Sequence, residues 1–593
     1  MKAIVKGAAV TILMTTTAWP MLAQDDAGES VADFVPVTDE MLANPDDGDW
    51  LMWRRTLNHW GYSPLDQLTP ETVGDLELVW SRGMGPGNQE STPLVYDGVM
   101  YLPNPRDIIQ AIDAATGDLI WEYRRQLPAD LADYVNLNDI TRALSIYDDK
   151  IIHMTGDGFI VALNAQTGAV EWETQITDYQ GGNYQTSGAI IANGKALSGR
   201  TCKPDGGPET CFIAAHDLET GEELWRTYLI PRPGEDGDET WGGIPYESRW
   251  HVGSWITPSY DPELNLAYFG TSVTHPYSKF MLGLATPEEQ DQDFLYQTST
   301  LAVNPDTGEI IWYQQHIRDQ WDLDHPFERI LVDTAIAPNP DEVPWINPNV
   351  TPGEEYRVLT GIPGKTGIFY SIDRETGEFL WARETVEQNV VTDIDTATGR
   401  ATMNYDVFYT EAGQTNFVCP SLAGGKDWLA GAYSPLTNTI YYPLQNLCMN
   451  ATILGDEVIF EDQGLDASVV AATGTDQIGT VRGINVETGE ELWLHEQRAA
   501  TGSLLTTGGG LLFGGDTNGR FRAYDQENGD VLWEVNLGSP IGGFPISYEV
   551  DGEQYIAIPV GNYLIAGVQL GATPEIRPTT TTNNIFVFKL AAD

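Results

Sequence analysis

The run Gln320-Trp321-Asp322-Leu323-Asp324-His325-Pro326 sets two carboxylates two residues apart, directly after a tryptophan and directly before a His-Pro step. In an extended segment, residues i and i+2 face the same side, so the spacing predicts that Asp322 and Asp324 share one face. Two carboxylates at that distance repel unless a cation or a proton lies between them. Such a pair suits two chemistries: a base that takes the proton of a hydroxyl, and oxygen donation to a hard cation. The competing reading is a solvated acidic turn, because the chain carries 86 Asp and Glu against 31 Lys and Arg, a formal net charge of −55. The scaffold that holds the segment decides between them.

That scaffold is written as a repeat. Seven segments share one internal spacing, in which Asp or Asn is followed by three residues, Gly, three residues and Trp. "AIDAATGDLIW" ends at Trp121 and "AYDQENGDVLW" at Trp533, with further copies ending at Trp172, Trp225, Trp312, Trp381 and Trp493. Each copy reads as a β-hairpin: Gly supplies the φ > 0 position of the turn, and the flat Trp is suited to docking on a neighbouring sheet. Repeats of one supersecondary unit at intervals of 40 residues or more, with no helical pattern between them, predict an all-β fold, an eight-bladed β-propeller with docking tryptophans. The eighth blade is expected to be closed by both ends of the chain, "LELVW" ending at Trp80 and "NNIFVFKL" near residue 590, which leaves few free sheet edges. The wide gaps from Trp225 to Trp312, Trp312 to Trp381 and Trp381 to Trp493 are expected to hold long loops on one face, where a site is built.

Lys2 and Lys6, an apolar stretch through Leu13 and Trp19, and a small-residue exit at Met21-Leu22-Ala23 read as a secretory signal peptide over 1–23. A linker over 24–44 and one large domain over 45–593 follow. No later window is apolar enough to cross a bilayer, so the expectation is an exported, soluble, periplasmic protein. The acidic balance argues against nucleic acid and anionic lipid as partners, since both need Lys and Arg. It fits a basic protein or a cationic ligand, and equally a saline habitat. The four cysteines are Cys202, Cys211, Cys419 and Cys448. An even count in an exported chain implies two disulfides, and order along the chain favours 202–211 and 419–448 over the other two connectivities. There is no CxxCH for covalent haem, no CxxC and no HExxH.

The opening "GDWLMWRRTLNHWGYSPLDQLTPETVGDLELVW", the tryptophan repeat and "WDLD" together resemble the quinoprotein alcohol dehydrogenases. Those are periplasmic eight-bladed propellers carrying pyrroloquinoline quinone (PQQ) and a metal ion. The resemblance spans nearly the whole mature chain. The tryptophan repeat alone is weak, since non-catalytic propellers share it; its combination with WDxD and the residues below is specific. It implies that Asp322 is the catalytic base, accepting the alcohol's hydroxyl proton while hydride leaves the adjacent carbon. It also implies that Asp322 and Asp324 ligate the metal, Asp324 matching an additional acid of the lanthanide-using branch. Trp255 of "GSWITPSYDPELNLAYFG" is placed against the flat quinone, and Glu90 of "NQESTPLVYDGVMY" at a cofactor-contacting position. Arg142 of "ITRALSIYDDK" meets the quinone's carboxylates or carbonyls, a task suited to its planar fork. Lys365 of "GIPGKTG" lies beside the reacting carbonyl, Asp427 and Trp428 of "GGKDW" flank the cofactor, and Thr186 and Thr201 join this contact set. The 419–448 spacing also resembles a family disulfide.

The chain departs from the family at three points. A vicinal Cys-Cys over the quinone is absent, "NLNDITR" standing there instead. The metal-ligating Glu of a Ser-Gly-Ala-Glu run gives way to "SGRTCKPDGGPETC", with Thr201 on the family's Ser position and Glu209 as the candidate replacement ligand. The ligating Asn of a Gly-Asn-Pro element gives way to "GTSVTHP", which offers Ser272 or Thr274. Calcium is the ion implied, with a lanthanide as the alternative. The resulting expectation is a periplasmic PQQ- and metal-dependent dehydrogenase that oxidises a bulkier primary or secondary alcohol and passes electrons to an external acceptor such as a soluble cytochrome c. Two rivals stand beside it. One is a non-catalytic exported propeller scaffold, which has no need of Trp255, Lys365 and WDLD in register. The other is a sugar-oxidising quinoprotein, which differs only in its pocket loops.

Overall fold

The computed structural model describes residues 31, 34–454 and 464–591, so the expected signal peptide lies outside the described residues. Regular structure is nearly all β. Among the described residues, eight sheets of four or five strands follow one another along the chain, over residues 94–124, 145–175, 190–228, 259–315, 330–384, 432–497, 501–536 and 546–590. The last is completed by Leu76–Gly83, which pairs antiparallel with Asn584–Leu590 and sets Trp80 opposite Val587. First strands of successive sheets touch: Ser145–Tyr147 meets Ile190–Ala192, which meets Ser259–Asp261, which meets Ile330–Ile336. The later part of the expected linker is docked on this body, with Val37 and Asp148 exchanging backbone hydrogen bonds of 2.9 and 2.7 Å. The gap after Trp381 holds more than loops. It carries a two-stranded ladder, Val391–Ile394 with Ala401–Met403, and a three-stranded sheet of Thr415–Val418, Leu447–Ile453 and Leu465–Ala471.

The repeat turns close by side-chain chemistry. In the copy at residue 113, Asp113 Oδ1 accepts from the backbone N–H of Ala115 at 3.0 Å and of Thr116 at 2.9 Å, while Gly117 N donates to Asp113 O at 2.9 Å. A short side-chain oxygen is what lets Asp or Asn hold such a turn. Asn164, Asp217, Asn304, Asp373 and Asn485 do the same. So does Asp395, in a copy without Trp, where the ring packed on its turn glycine is Phe379.

Six of the indoles reach the turn of the following sheet. Trp80 donates to Ala114 O at 3.1 Å, Trp121 to Ala165 O at 2.9 Å, Trp172 to Leu218 O at 3.2 Å and Trp225 to Pro305 O at 2.8 Å. Trp312 donates to Arg374 O at 3.2 Å and Trp493 to Gln526 O at 2.8 Å. The ring then lies flat on the turn glycine: a Cβ on Gly308 would stand 2.5 Å from Trp225. Trp381 differs. Its N–H is buried without a partner and its ring stacks on Phe369 at 5.0 Å. Here an extra strand, Trp345–Ile346, pairs with the Trp381 edge, and Val343 comes nearest to Gly489, with only the edge of the Trp381 ring beside it.

One segment ties the sheets together. Trp50 exchanges backbone hydrogen bonds with Val95, and Leu57, Asn58, Trp60 and Gly61 accept from the N–H of Tyr260, Leu331, Tyr433 and Thr506 at 2.8–3.1 Å. Those five partners lie in the first strands of five different sheets. Arg54, fully buried, donates from one nitrogen to Gly431 O and Leu504 O, both at 2.7 Å. His59 stands edge-on to Trp53 at 5.2 Å. Burial, reinforced by Arg54 and Arg329, pushes its pKa down to about 3, so it is neutral in the fold.

Two predictions follow from this packing. Gly308→Ala combines a strained φ of +76 with displacement of the Trp225 ring and should cost ~2–4 kcal/mol by urea denaturation. Gly353→Ala, at φ +84 with nothing within 4 Å, should cost only ~1 kcal/mol; equal losses would mean that the indole contact contributes nothing. The second concerns acid. An unfolded chain binds a proton at His59 below its ordinary pKa of 6.5, whereas the fold resists until about 3. That contribution is fully present above pH 6.5 and is lost as pH falls, at ~1.4 kcal/mol per pH unit. His59→Gln should flatten the fall of the urea midpoint between about pH 6.5 and 4.5; an unchanged slope would assign the acid sensitivity to other groups.

Candidate active site

A cavity of about 320 Å³ gathers most of the residues singled out in the sequence. Arg142, Thr186, Thr201, Trp255, Asp322, Asp324, Lys365, Asp427 and Trp428 all line it. They come from one recurring place in the architecture. Arg142, Thr186, Trp255 and Trp428 each lie three or four residues before the first strand of a sheet, those strands opening at Ser145, Ile190, Ser259 and Ala432. A larger cavity of about 400 Å³ lies beside Trp60, Tyr260 and Tyr433. Its Arg374 is already paired with Asp261 at 2.6 Å and Asp333 at 2.5 Å, which leaves it no cation to offer a ligand, and the chemistry belongs to the smaller cavity.

The acidic segment is not extended. Asp322 sits at φ +72, in the left-handed region, because Asp319 pins the turn before it. Asp319 Oδ2 accepts from the N–H of Trp321 and Asp322, both at 3.0 Å, and its Oδ1 accepts from Leu323 N at 2.8 Å. The two carboxylates still meet, but on an amine. Lys365 Nζ lies 2.9 Å from Asp322 Oδ2 and 3.5 Å from Asp324 Oδ2. Asp324 Oδ1 is held by Val273 N at 2.9 Å. Burial pushes the Asp322 carboxyl well above the usual carboxylate range, and Asp324 adds to this while Lys365 opposes it. Burial alone would lower Lys365, but Asp322, Asp427 and Asp324 hold it above the ordinary lysine value.

The opposite wall is built on Arg142. Its guanidinium stands 5.2 Å from the rings of both Trp255 and Trp428, and donates to Thr186 Oγ1. Glu90 does not line the cavity. It sits behind Arg142, buried, with Oε2 at 2.7 Å from the guanidinium and Oε1 accepting from Leu564 N at 2.9 Å. Its position therefore braces Arg142 rather than lining the cavity. Thr201 reaches the wall through a bridge to Tyr184, its N donating to Tyr184 O at 3.1 Å. Both expected disulfides are present, Cys202–Cys211 and Cys419–Cys448.

Three expectations fail. Glu209 lies outside the cavity, 59% exposed and 3.3 Å from Arg232, because the Cys202–Cys211 loop turns outward. Ser272 is spent internally, donating to His251 O at 2.6 Å and accepting from Gly253 N at 2.9 Å. Thr274 Oγ1 is buried without a partner and is absent from the wall. What stands there instead is His251 and Tyr277. His251, at φ +76 with Nδ1 3.2 Å from Val273 O, is pushed down to about 4 by burial, so its imidazole is neutral. Neither residue carried a sequence signal, since both sit in loops with no repeat spacing.

Two fits can be tested on these residues. A flat anionic quinone fits: indole faces, a guanidinium and an ammonium surround the cavity, and the buried Nε1 of Trp428 and Nε of Arg142 have no partner. A resident metal does not fit as well. Asp322 and Asp324 meet on the ammonium of Lys365, which fills the place a cation would take between them, and the other wall carboxylate, Asp427, is not grouped with them. Among the described residues, the one group of three His, Cys, Asp or Glu ligand atoms close enough to share a cation is Glu387 with Cys419 and Cys448, whose sulfurs are bonded to each other.

Comparison with known proteins identifies the family. The family described as PQQ glucose/ethanol/alcohol dehydrogenase, β-propeller domain, matches residues 50–404 and 475–556. The dehydrogenase subunit of an alcohol dehydrogenase (quinone) from Komagataeibacter europaeus is 31% identical over 567 residues, covering 88% of this chain and 73% of that protein. The quinoprotein alcohol dehydrogenase PedH of Pseudomonas putida is 30% identical, with 84% of each chain covered. Among solved structures, the quinohemoprotein alcohol dehydrogenase ADHIIG of Pseudomonas putida HK5 superposes with a TM-score of 0.80 at 28% identity, over 94% of this chain and 84% of that one. A europium-containing methanol dehydrogenase also gives 0.80, at 26% identity, over 93% of this chain and 100% of that one. The chain belongs to the glucose/ethanol/alcohol dehydrogenase family of PQQ-dependent β-propeller quinoproteins.

Proposed function

We propose that this cavity binds PQQ and that the protein oxidises an alcohol to its aldehyde or ketone, with Asp322 taking the hydroxyl proton. The observation that carries this reading is one cavity holding both a buried carboxylate–ammonium pair, Asp322 with Lys365 at 2.9 Å, and a guanidinium between two indoles. Arg142, Thr186, Thr201, Trp255, Lys365, Asp427 and Trp428 would hold the quinone. Indole and guanidinium planes suit its flat ring, and the two cations suit its carboxylates and carbonyls. Bound PQQ supplies the two-electron acceptor. The protein's part is positioning and proton transfer: burial makes Asp322 more basic than a solvated carboxylate, closer to what proton abstraction from an alcohol needs. Lys365 opposes that rise, and Asp324 holds Lys365 from the other side. No step is assigned to a metal, because the donors around Asp322 do not complete a cage.

In the same reading the eight sheets are the blades of a propeller closed by the two chain ends, and the indoles are the blade-to-blade docking groups. The protein works in the periplasm, and its electrons leave to a separate acceptor. Relatives named quinohemoproteins combine quinone and haem, whereas this chain carries no CxxCH. A basic soluble cytochrome c complements a net charge of −55.

Two experiments test this. PQQ added to cofactor-free protein should quench tryptophan fluorescence, with affinity falling about tenfold or more in Arg142→Met. Asp322→Asn, which tolerates the left-handed backbone, should keep that affinity but lose dye-linked alcohol oxidation by about 10²–10⁴-fold; a near wild-type rate would move the base elsewhere. Reduction of a basic cytochrome c should slow several-fold between about 20 and 200 mM salt, and a salt-independent rate would count against a charge-steered partner.

A further inference from the structure

Away from the cavity, Arg200 is a cation buried without a counter-charge. It is 0% exposed, and none of its three nitrogens has a hydrogen-bond partner in the protein. A guanidinium cannot be deprotonated in a protein, so it has no escape by losing its charge, as a buried lysine has. Its carbon lies 3.7 Å over the Phe212 ring, and that of Arg226 lies 3.6 Å over the same ring. Two guanidiniums at that distance cannot share one face, so the phenyl ring stands between them. Arg226 is neutralised, since Glu223 accepts from it at 3.0 and 2.6 Å. Arg200 is left with a ring quadrupole and, among the described residues, no carboxylate at ion-pair distance.

The sheets explain why no acceptor reaches it. Phe212, Ala214 and His216 alternate onto one face of Phe212–Asp217, where Ser198 and Arg226 stand opposite Ala214 on either side. That face meets the preceding sheet: Arg226 Nη2 donates to Ile176 O at 3.5 Å, and Trp172 reaches across to Leu218 O. The side chains that share the Trp172 face by register include Ile152, Met154, Ile160 and Ala162, all buried. Thr174 is turned to the Gly221 turn. The opposing wall therefore offers carbon. On the Arg200 side, Ser198 Oγ and both ring nitrogens of His216 are also buried and without partners. Burial and Arg200 push His216 down to about 4, so its neutral ring offers one N–H.

We infer that Arg200, with Ser198 and His216, holds a small monovalent anion, chloride, between the sheets of residues 145–175 and 190–228. Donors outnumber acceptors here, and water would supply hydrogen bonds while leaving the charge uncompensated. The anion's role is structural. Thr201 of the cavity wall follows Arg200 directly, and Arg200 O accepts from Ser254 N at 3.0 Å, beside Trp255. A fixed guanidinium therefore steadies the backbone behind two wall residues.

The test uses the full chain and chloride itself, with gluconate as an anion too bulky for the place. At a urea concentration within the transition, the folded-to-unfolded ratio should be about tenfold higher in about 200 mM sodium chloride than in sodium gluconate, as for a site filled about tenfold above its dissociation constant. In Arg200→Met, which keeps the length and removes the charge, the two salts should give one curve. Should that variant not fold, Ser198→Ala carries the test and should reduce the chloride gain about threefold or more. Wild-type crystals prepared in bromide should show an anomalous peak against the Arg200 guanidinium. A chloride gain undiminished in the variants, a wild type indifferent to the choice of anion, or bromide found only at the surface overturns the inference. The alcohol dehydrogenase reading is untouched by any of these outcomes.

Discussion

The site depends on keeping one ammonium charged out of water. Desolvating a lysine costs several kcal/mol, and carboxylates repay it only when their geometry is held. Lys365 meets Asp322 and Asp324 directly and feels Asp427 as well. The neighbouring architecture exists to hold those distances. Asp319 fixes three consecutive backbone N–H groups so that Asp322 can adopt its left-handed turn, and Val273 N fixes Asp324. Position 364 must be glycine, since a Cβ there would enter the ring of His325. A second buried lysine does the equivalent work one loop away: Lys279 Nζ donates to the carbonyls of Thr274, Pro276 and Tyr277 and so shapes the segment that ends at the cavity wall.

Such geometry needs loops from distant parts of the chain to keep a common reference. The segment Trp50–Ser63 provides it, because it bonds to the first strands of five sheets and leaves little freedom for one to slide against another. Two of those strands, opening at Ser259 and Ala432, also follow site residues, Trp255 and Trp428. Arg142, Thr186, Trp255 and Trp428 precede first strands by three or four residues, so four sheets each deliver one side chain to the same cavity, and Glu90, four residues before Leu94, stands behind it. Function here is a product of repetition: the same position in successive sheets, filled by a different residue type each time.

That explains what was legible in the sequence. The turn spacing of Asp or Asn, Gly and Trp is local chemistry, and it survives in the structure as backbone hydrogen bonds and indole contacts. The residues of the cavity floor are legible through motif and family resemblance rather than repeat phase: Lys365 lies between Glu354–Gly361 and Ile368–Asp373, not before a first strand. Residues supplied by irregular loops could not be found this way. Glu209 was placed by an insertion whose direction no local rule sets, and it points outward. His251 and Tyr277 have positions that depend on Lys279 and Val273 in three dimensions. The extended backbone expected at Asp322 failed for a definite reason: i, i+2 alternation assumes a strand, and Asp319 captures the amides a strand would offer to a neighbour.

Charge bookkeeping carries the argument one step further. Four acids, Glu90, Asp322, Asp324 and Asp427, face two bases, Arg142 and Lys365, in and immediately behind the cavity wall. Burial pushes Glu90, Asp322 and Asp427 upward, each only partly offset by a cation. The site is short of positive charge before any ligand arrives. A quinone that brings carboxylates deepens that shortage, and like charges at this separation are not tolerated in a medium of low polarity. On the proposed reading, charge balance would then call for protons or a cation to be taken up with the quinone. The same imbalance that makes Asp322 a strong proton acceptor thus makes cofactor binding sensitive to what else enters with it.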